Sequence, residues 1–243
     1  MPLKNLDPFA SQLKNLNPGI NPYVALMATG IEDGNIPVAC GEMLKDFPGK
    51  WREKIAGFYK RPAPFKKLVV EIGCHKGHVL CKMAAEHPDT AFIGIDITYK
   101  RVVGTAERAQ KMGLKNVFTV LANAKAIDMI FTPGEIDGVL IFFPDPWIKK
   151  KRQAKNRLVD VEFCKILEPL LSSEAFCWFK TDQKIYFDQA QNAFAENAFQ
   201  AQTQPCEITG NAYTSIFEQR FTEQNLPTYG SKWLRSSQKF MAN

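Results

Sequence analysis

The sequence predicts an α/β fold of the doubly wound class, and three observations carry the prediction. Short apolar runs rich in β-branched and aromatic residues recur at 68–72 (LVVEI), 90–96 (TAFIGID), 116–124 (NVFTVLANA), 137–143 (DGVLIFF) and 174–180 (EAFCWFK). Segments with helical spacing lie between them. The runs are apolar along their whole length rather than on alternate residues. That is the pattern of a mostly parallel sheet covered by helices on both faces.

Taken in order, residues 1–45 show weak periodicity and many turn formers, and read as a partly irregular arm with short helical turns. The first strand, LVVEI, holds one acid and leads into the glycine of EIGCHKG (71–77). KGHVLCKMAAEHP (76–88) has helical spacing and stops at Pro88. TAFIGID is the next strand. An amphipathic segment follows from Thr98 to Met112, with Gly113 placed to cap it. NVFTVLANA, DGVLIFF and EAFCWFK continue the strands, with helical stretches at 157–171 and 184–199. The tail segments QAQTQPCEI (200–208) and AYTSIFEQRF (212–221) have no helix between them and read as a closing antiparallel hairpin.

Composition narrows the class. With 243 residues, 18 of them Phe, the chain can bury a sizeable core. No stretch approaches the roughly 18 apolar residues of a membrane span. The N-terminus has no apolar signal core, so a cytoplasmic protein is expected. The six cysteines are scattered without a C-x-x-C pair and read as buried free thiols. His75 and His78 have a spacing that suits a metal, but no cysteine or carboxylate cluster completes a site, so no metal is expected.

The net charge of +6 says less than its distribution. Lys149, Lys150, Lys151, Arg152, Lys155 and Arg157 crowd into nine residues, and a second basic group runs from Lys50 to Lys67. Such blocks attract polyanions.

Two loops carry candidate chemistry. In doubly wound folds the turn after the first strand brings backbone close to a ligand, and Gly73 and Gly77 suit that turn. Asp96, at the end of the second strand, stands where an acid receives ribose hydroxyls, or else caps the helix after it. The G-x-G-x-x-G fingerprint of dinucleotide enzymes fails, because histidines occupy positions 75 and 78. A nicotinamide cofactor is thereby disfavoured, and S-adenosylmethionine, which has no pyrophosphate, stays open. Further on, FFPDPW (142–147) places Asp145 at the end of the fourth strand, fenced by Pro144 and Pro146. The prolines restrict where its carboxylate points, Trp147 offers a flat face to a base, and the cations after it suit a phosphodiester backbone. The plain alternative is a proline-rich turn ahead of a solvated basic segment.

FFPDPW followed by K-K-K-R and R-L-V resembles the signature of the bacterial tRNA (guanine-N7)-methyltransferases. NPY (21–23), GKW (49–51), VEIGCHKGHVL (70–80), FIGIDI (92–97), NVFTVLANA, KTD (180–182) and FEQRF (217–221) fall in that family's order, so the likeness covers residues from about 20 to 221. It implies a seven-stranded sheet of the class I, Rossmann-like methyltransferase type in residues 46–243, behind an arm of residues 1–45. It also implies methyl transfer from S-adenosylmethionine to N7 of a guanosine in the tRNA variable loop (position 46), leaving S-adenosylhomocysteine. Glu71, Gly73, Asp96, Asn123, Ala124 and Asp145 would bind the cofactor. Asp145 would be the catalytic acid. Lys149, Asp182, Ser215, Glu218 and Arg220 would bind tRNA, and the protein would act as a monomer or homodimer.

The sequence departs from the family pattern at four places. His75 replaces the middle glycine of E-I-G-x-G-x-G, and Asn123 replaces an aspartate. Ile148 stands where proline or a polar residue is common, and Ser215-Ile216 where Thr-Lys or Thr-Arg is expected. Three rival readings stay open at this level. One is a methyltransferase for a small molecule, a second is a tRNA-binding protein that has lost catalysis, and the third is a nicotinamide dehydrogenase.

Overall fold

The structure, a computed structural model, describes residues 7–9, 21–148, 151–201 and 213–235. Lys149, Lys150, Cys206 and the greater part of QAQTQPCEI lie outside them. The fold is α/β, with eight strands in a mixed sheet whose parallel core is joined by antiparallel C-terminal strands. The chain divides into two compact units, residues 1–132 and 133–243.

The first unit runs α1 (Pro22–Glu32), β1 (Val38–Cys40), α2 (Trp51–Phe58), β2 (Lys67–Ile72), α3 (His78–Glu86), β3 (Thr90–Asp96), α4 (Tyr99–Lys111) and β4 (Val117–Leu121). Its strands lie in the order β1-β4-β3-β2, all parallel. Leu68, Val70, Phe92, Ile93, Val117 and Val120 are fully buried, which is why these strands read as continuous apolar runs. α4 buries Val102, Val103, Ala106 and Ala109 and turns its lysines outward. Gly113 ends it as expected, with φ +68 and with Leu114 N–H donating to Ala109 O at 3.0 Å.

Residues 22–40 are more ordered than the sequence suggested. Asn21 caps α1 through its side chain, and Val38, Ala39 and Cys40 pair with Thr119, Val120 and Leu121. β1 is the strand beyond the expected seven. It was hard to see because three residues cannot display a period. Trp51 anchors α2, donating from its indole to Ile130 O at 2.9 Å among the rings of Phe47, Phe118 and Phe131.

The second unit runs β5 (Ile136–Phe142), α5 (Val161–Leu167), β6 (Leu171–Thr181), α6 (Lys184–Ala195), β7 (Phe199–Ala201), α7 (Ile216–Glu223) and β8 (Tyr229–Arg235). β5 and β6 are parallel, while β8 runs antiparallel to both β6 and β7. The helix expected at 157–171 is shortened at both ends. Asp160 caps α5 by accepting from Phe163 N–H at 2.8 Å, and Pro169 confines residues 168–170 to one 3-10 turn.

The closing hairpin needs correction. Its antiparallel strands are β7 and β8, and AYTSIFEQRF supplies a helix instead. Ser215 and Glu218 form a reciprocal capping box that starts α7. The S-x-x-E spacing was the available signal.

Candidate active site

In the first unit, the ends of three adjacent parallel strands carry five of the six residues expected to hold the cofactor, while Asp145 follows β5 in the second unit. Glu71 is opposite Gly94, and Asp96 is opposite Leu121. The chain leaving β2 is tied back across the edge, with Gly73 N–H donating to Ile95 O at 2.8 Å. The chain leaving β4 is tied likewise, Ala122 N–H to Asp96 O at 3.1 Å. Gly73, Asp96 and Asn123-Ala124 therefore share one edge.

Two buried acids sit at that edge. Glu71 is 5% exposed, and burial pushes its carboxyl up to about 8, with the nearby Asp96 charge adding to the rise and a hydrogen bond from the Leu80 backbone opposing it. Its Oε2 has no hydrogen-bond partner among the described residues. Asp96 is equally buried, and Oδ1 accepts from Thr98 N–H at 3.0 Å, the local capping role. Its Oδ2 accepts no hydrogen bond among the described residues, and the Arg101 guanidinium stands 3.5 Å away. Gly73 is exposed at φ +78, and a Cβ built there meets nothing within 4 Å. An edge with two unsatisfied buried acceptors beside bare, accessible backbone fits a ligand that offers hydroxyl and ammonium donors.

His75 and Asn123 are the departures at this edge. His75 has φ +49, in the left-handed region, which explains why glycine suits the position. Thr105 Oγ1 holds its carbonyl at 3.3 Å. Asn123 Oδ1 accepts from Lys125 N–H at 3.0 Å and caps the 3-10 turn Ala124–Met129, in which Ala124 is buried.

The second unit assembles the remaining residues about the ends of β5 and β6. Phe142 is opposite Lys180, so Asp145 and Asp182 each follow one of two neighbouring strand ends. The Pro144–Asp145–Pro146 segment lies between two residues in the left-handed region, Phe143 (φ +53) and Trp147 (φ +49). Such conformations persist where surrounding structure enforces them. Phe143 N–H donates to Lys180 O at 2.8 Å, and its ring packs on Phe217 and Phe221 of α7. On the other side, Arg157 Nε donates to Pro146 O at 2.8 Å. Asp145 itself is exposed, and so is Trp147.

Three sequence assignments change meaning here. Arg157, taken as part of the basic block, is only 5% exposed; its guanidinium also donates to Gln189 Oε1 and lies over the Tyr186 ring at 5.1 Å. It braces the Asp145 loop. Glu218, assigned to tRNA, is 2% exposed and paired with Lys180, while Ser215 is 8% exposed and spends its hydroxyl on the Glu218 N–H. Arg220 remains exposed on the same helix, and Asp182, part-buried, accepts from the Gln183 side chain. Lys149 lies outside the described residues.

A strand edge with a glycine turn and paired acids, and a second edge carrying an exposed acid on a braced loop, define an enzyme of the class I methyltransferase fold. The 16S rRNA (adenine(1408)-N(1))-methyltransferase from Catenulisporales acidiphilia, solved as a mutant with cosubstrate SAM, aligns with a TM-score of 0.53 at 15% identity, over 80% of this chain and 94% of that one. A family model described as "Putative methyltransferase" matches residues 65–240. The tRNA (guanine-N(7)-)-methyltransferase of Geobacillus thermodenitrificans is 32% identical over 79% of this chain and 87% of its own length. That of Bdellovibrio bacteriovorus is 35% identical over 62% and 70%. The chain belongs to the tRNA (guanine-N(7)-)-methyltransferase family.

Proposed function

We propose that this chain methylates N7 of a guanosine in the tRNA variable loop, position 46, using S-adenosylmethionine. The observation that carries the reading is the braced Pro144–Asp145–Pro146 loop, which presents one exposed acid at the end of β5. Bound S-adenosylmethionine would supply a methyl already activated on a sulfonium, and guanine N7 would receive it with its own lone pair, leaving the sulfur neutral and the positive charge on the ring.

No base is needed to free that lone pair, and the chain's task is alignment and electrostatics. Pre-organisation of this kind can supply roughly 7–11 kcal/mol. Asp96 Oδ2 would receive ribose hydroxyls, Glu71 would receive the donor's ammonium or hydroxyl groups, and Gly73 would allow backbone to approach. Asn123 would meet the adenine edge and Ala124 would pack beside it. Asp145 would hold the guanine N1–H and N2–H edge and stabilise the cation that develops on the ring. Lys149, Asp182 and Arg220 would hold RNA, with Ser215 and Glu218 acting by fixing α7. We assign the transfer chemistry to residues 46–243, with the preceding segment adding α1 and β1 to the first unit.

The test is incubation with labelled S-adenosylmethionine and unmodified tRNA, followed by nucleoside analysis. Label in 7-methylguanosine is the expected result. Label in another nucleoside, or none, overturns the reading.

A further inference from the structure

Within the first unit, a groove of about 590 Å³ lies between the outer face of α4, the His75–Lys76 turn and Tyr23 of α1. Its lining is unbalanced in charge. Lys76, Lys100, Arg101, Arg108 and Lys111 face a single carboxylate, Glu107. Arg101 is partly offset by Asp96 at 3.5 Å, which leaves four cations against one acid.

Four of the five cations lie along α4. Lys100 and Lys111 are eleven residues apart on one helix, about 16 Å along its axis. A row of that length spans several phosphates of a nucleic-acid strand, where a single small anion would meet only one end of it. Part of the row is held in place. Arg108 Nε donates to Lys76 O at 2.8 Å, and its Nη2 is 3.0 Å from His78 Nε2, which accepts as neutral imidazole. Lys100 sits over the Tyr23 ring at 5.9 Å.

His78 lies beside the row, against Arg108. The His78 imidazole is held below its usual value first by burial, and then by Arg108, His75 and Lys76. The groove is organised, elongated and short of anions.

We propose that this groove is a second RNA-binding surface, in which Lys76, Lys100, Arg108 and Lys111 hold successive phosphates of the substrate RNA beside the His75 turn. The proposal rests on the tRNA reading above and adds a surface on α4 to the residues already assigned to tRNA. Glu107 lies within the row and opposes the phosphates.

Two variants of opposite charge test it without depending on either one alone. Lys100→Gln/Lys111→Gln should weaken binding of unmodified tRNA and flatten the plot of log affinity against log salt by roughly one to two units. Glu107→Gln should tighten binding severalfold at low salt. S-adenosylmethionine affinity, measured by calorimetry on the same proteins, separates a charge effect from a damaged fold. Parent-like slope and affinity in both variants would overturn the proposal. So would variants that lose inorganic phosphate binding while keeping tRNA binding, since the groove would then be a small-anion site. The two readings fail differently. A parent that makes no 7-methylguanosine, with variants still impaired in tRNA binding, removes the proposed reaction and leaves the groove. A parent that makes it, with variants binding tRNA normally, removes the groove alone.

Discussion

Lys180 Nζ lies 2.8 and 3.1 Å from the two carboxylate oxygens of Glu218, and neither side chain is more than 3% exposed. The ammonium also donates to Tyr213 O at 3.4 Å and rests between the rings of Phe142 and Trp178, at 4.9 and 5.0 Å. Glu218 simultaneously accepts the Ser215 N–H and so closes the capping box of α7. One buried pair thus joins the end of β6 to the start of the helix that carries Arg220.

Breaking this pair from one side should be costly. Lys180→Met leaves a buried carboxylate unpaired and should destabilise the protein by about 3–5 kcal/mol. Lys180→Met/Glu218→Leu removes both charges and should recover most of that loss in urea unfolding. A double variant as unstable as the single one would show that the pair's additional hydrogen bonds, and not its charges, dominate.

Asp145→Ala should abolish methyl transfer while tRNA affinity stays within a few-fold of the parent. The side chain is exposed, so its removal opens no cavity in the core. Single-turnover rates with saturating tRNA provide the measurement. Comparable rates would show that the loop, without its acid, suffices.

Glu71 makes a prediction with a definite sign. Its carboxyl is raised to about 8 in the folded chain, so the folded state holds a proton that the unfolded state releases near the usual carboxylate range. Stability from this group is fully present below that range and is lost as pH rises toward 8. Glu71→Gln mimics the protonated form. Without cofactor it should melt near the parent at pH 5 and above it at pH 8, while binding S-adenosylmethionine more weakly. Equal melting at both pH values would place the carboxyl in a wetter, less perturbed setting.

His75→Gly should bind S-adenosylmethionine as well as the parent or better. A side chain at φ +49 costs roughly 1–2 kcal/mol, of which the added freedom of glycine in the unfolded chain takes back about 0.5–1. Stability should therefore rise slightly. Calorimetry that finds weaker cofactor binding in the glycine variant would make the imidazole a ligand contact.

The strand ends were legible because burial on both faces leaves an unmistakable apolar texture, and because Gly73, Asp96 and Asp145 mark those ends. The supporting shell was not. Nothing in the spacing of Arg157 separates a brace from its exposed neighbours Arg152 and Lys155; only the position of Gln189 and Tyr186, some thirty residues on, makes the difference. Lys180 was visible as a cation inside an apolar strand, and its partner was hidden because Glu218 lies 38 residues away. The capping box of α7 was legible: Ser215 and Glu218 carry the S-x-x-E spacing in plain view, and it outweighs the apolar residues that give AYTSIFEQRF the look of a strand.

Arg157 and its exposed neighbours should separate kinetically. Arg157 donates to the carbonyl of Pro146, one residue from Asp145, so its loss lets the loop drift without removing a cation from the surface. Misplacement on that scale costs reaction rate, and Arg157→Gln should lower kcat roughly tenfold to a hundredfold while leaving the salt slope of tRNA binding unchanged. Arg152 and Lys155 are exposed. Replacing both with Gln should flatten the salt slope by roughly one to two units and raise KM more than it lowers kcat. The two variants then fail in different columns of the same experiment, in which kcat, KM and affinity are followed from low to high salt. If Arg157→Gln flattens the slope as the double variant does, the guanidinium meets phosphate, and its bond to Pro146 is not what holds Asp145 in place.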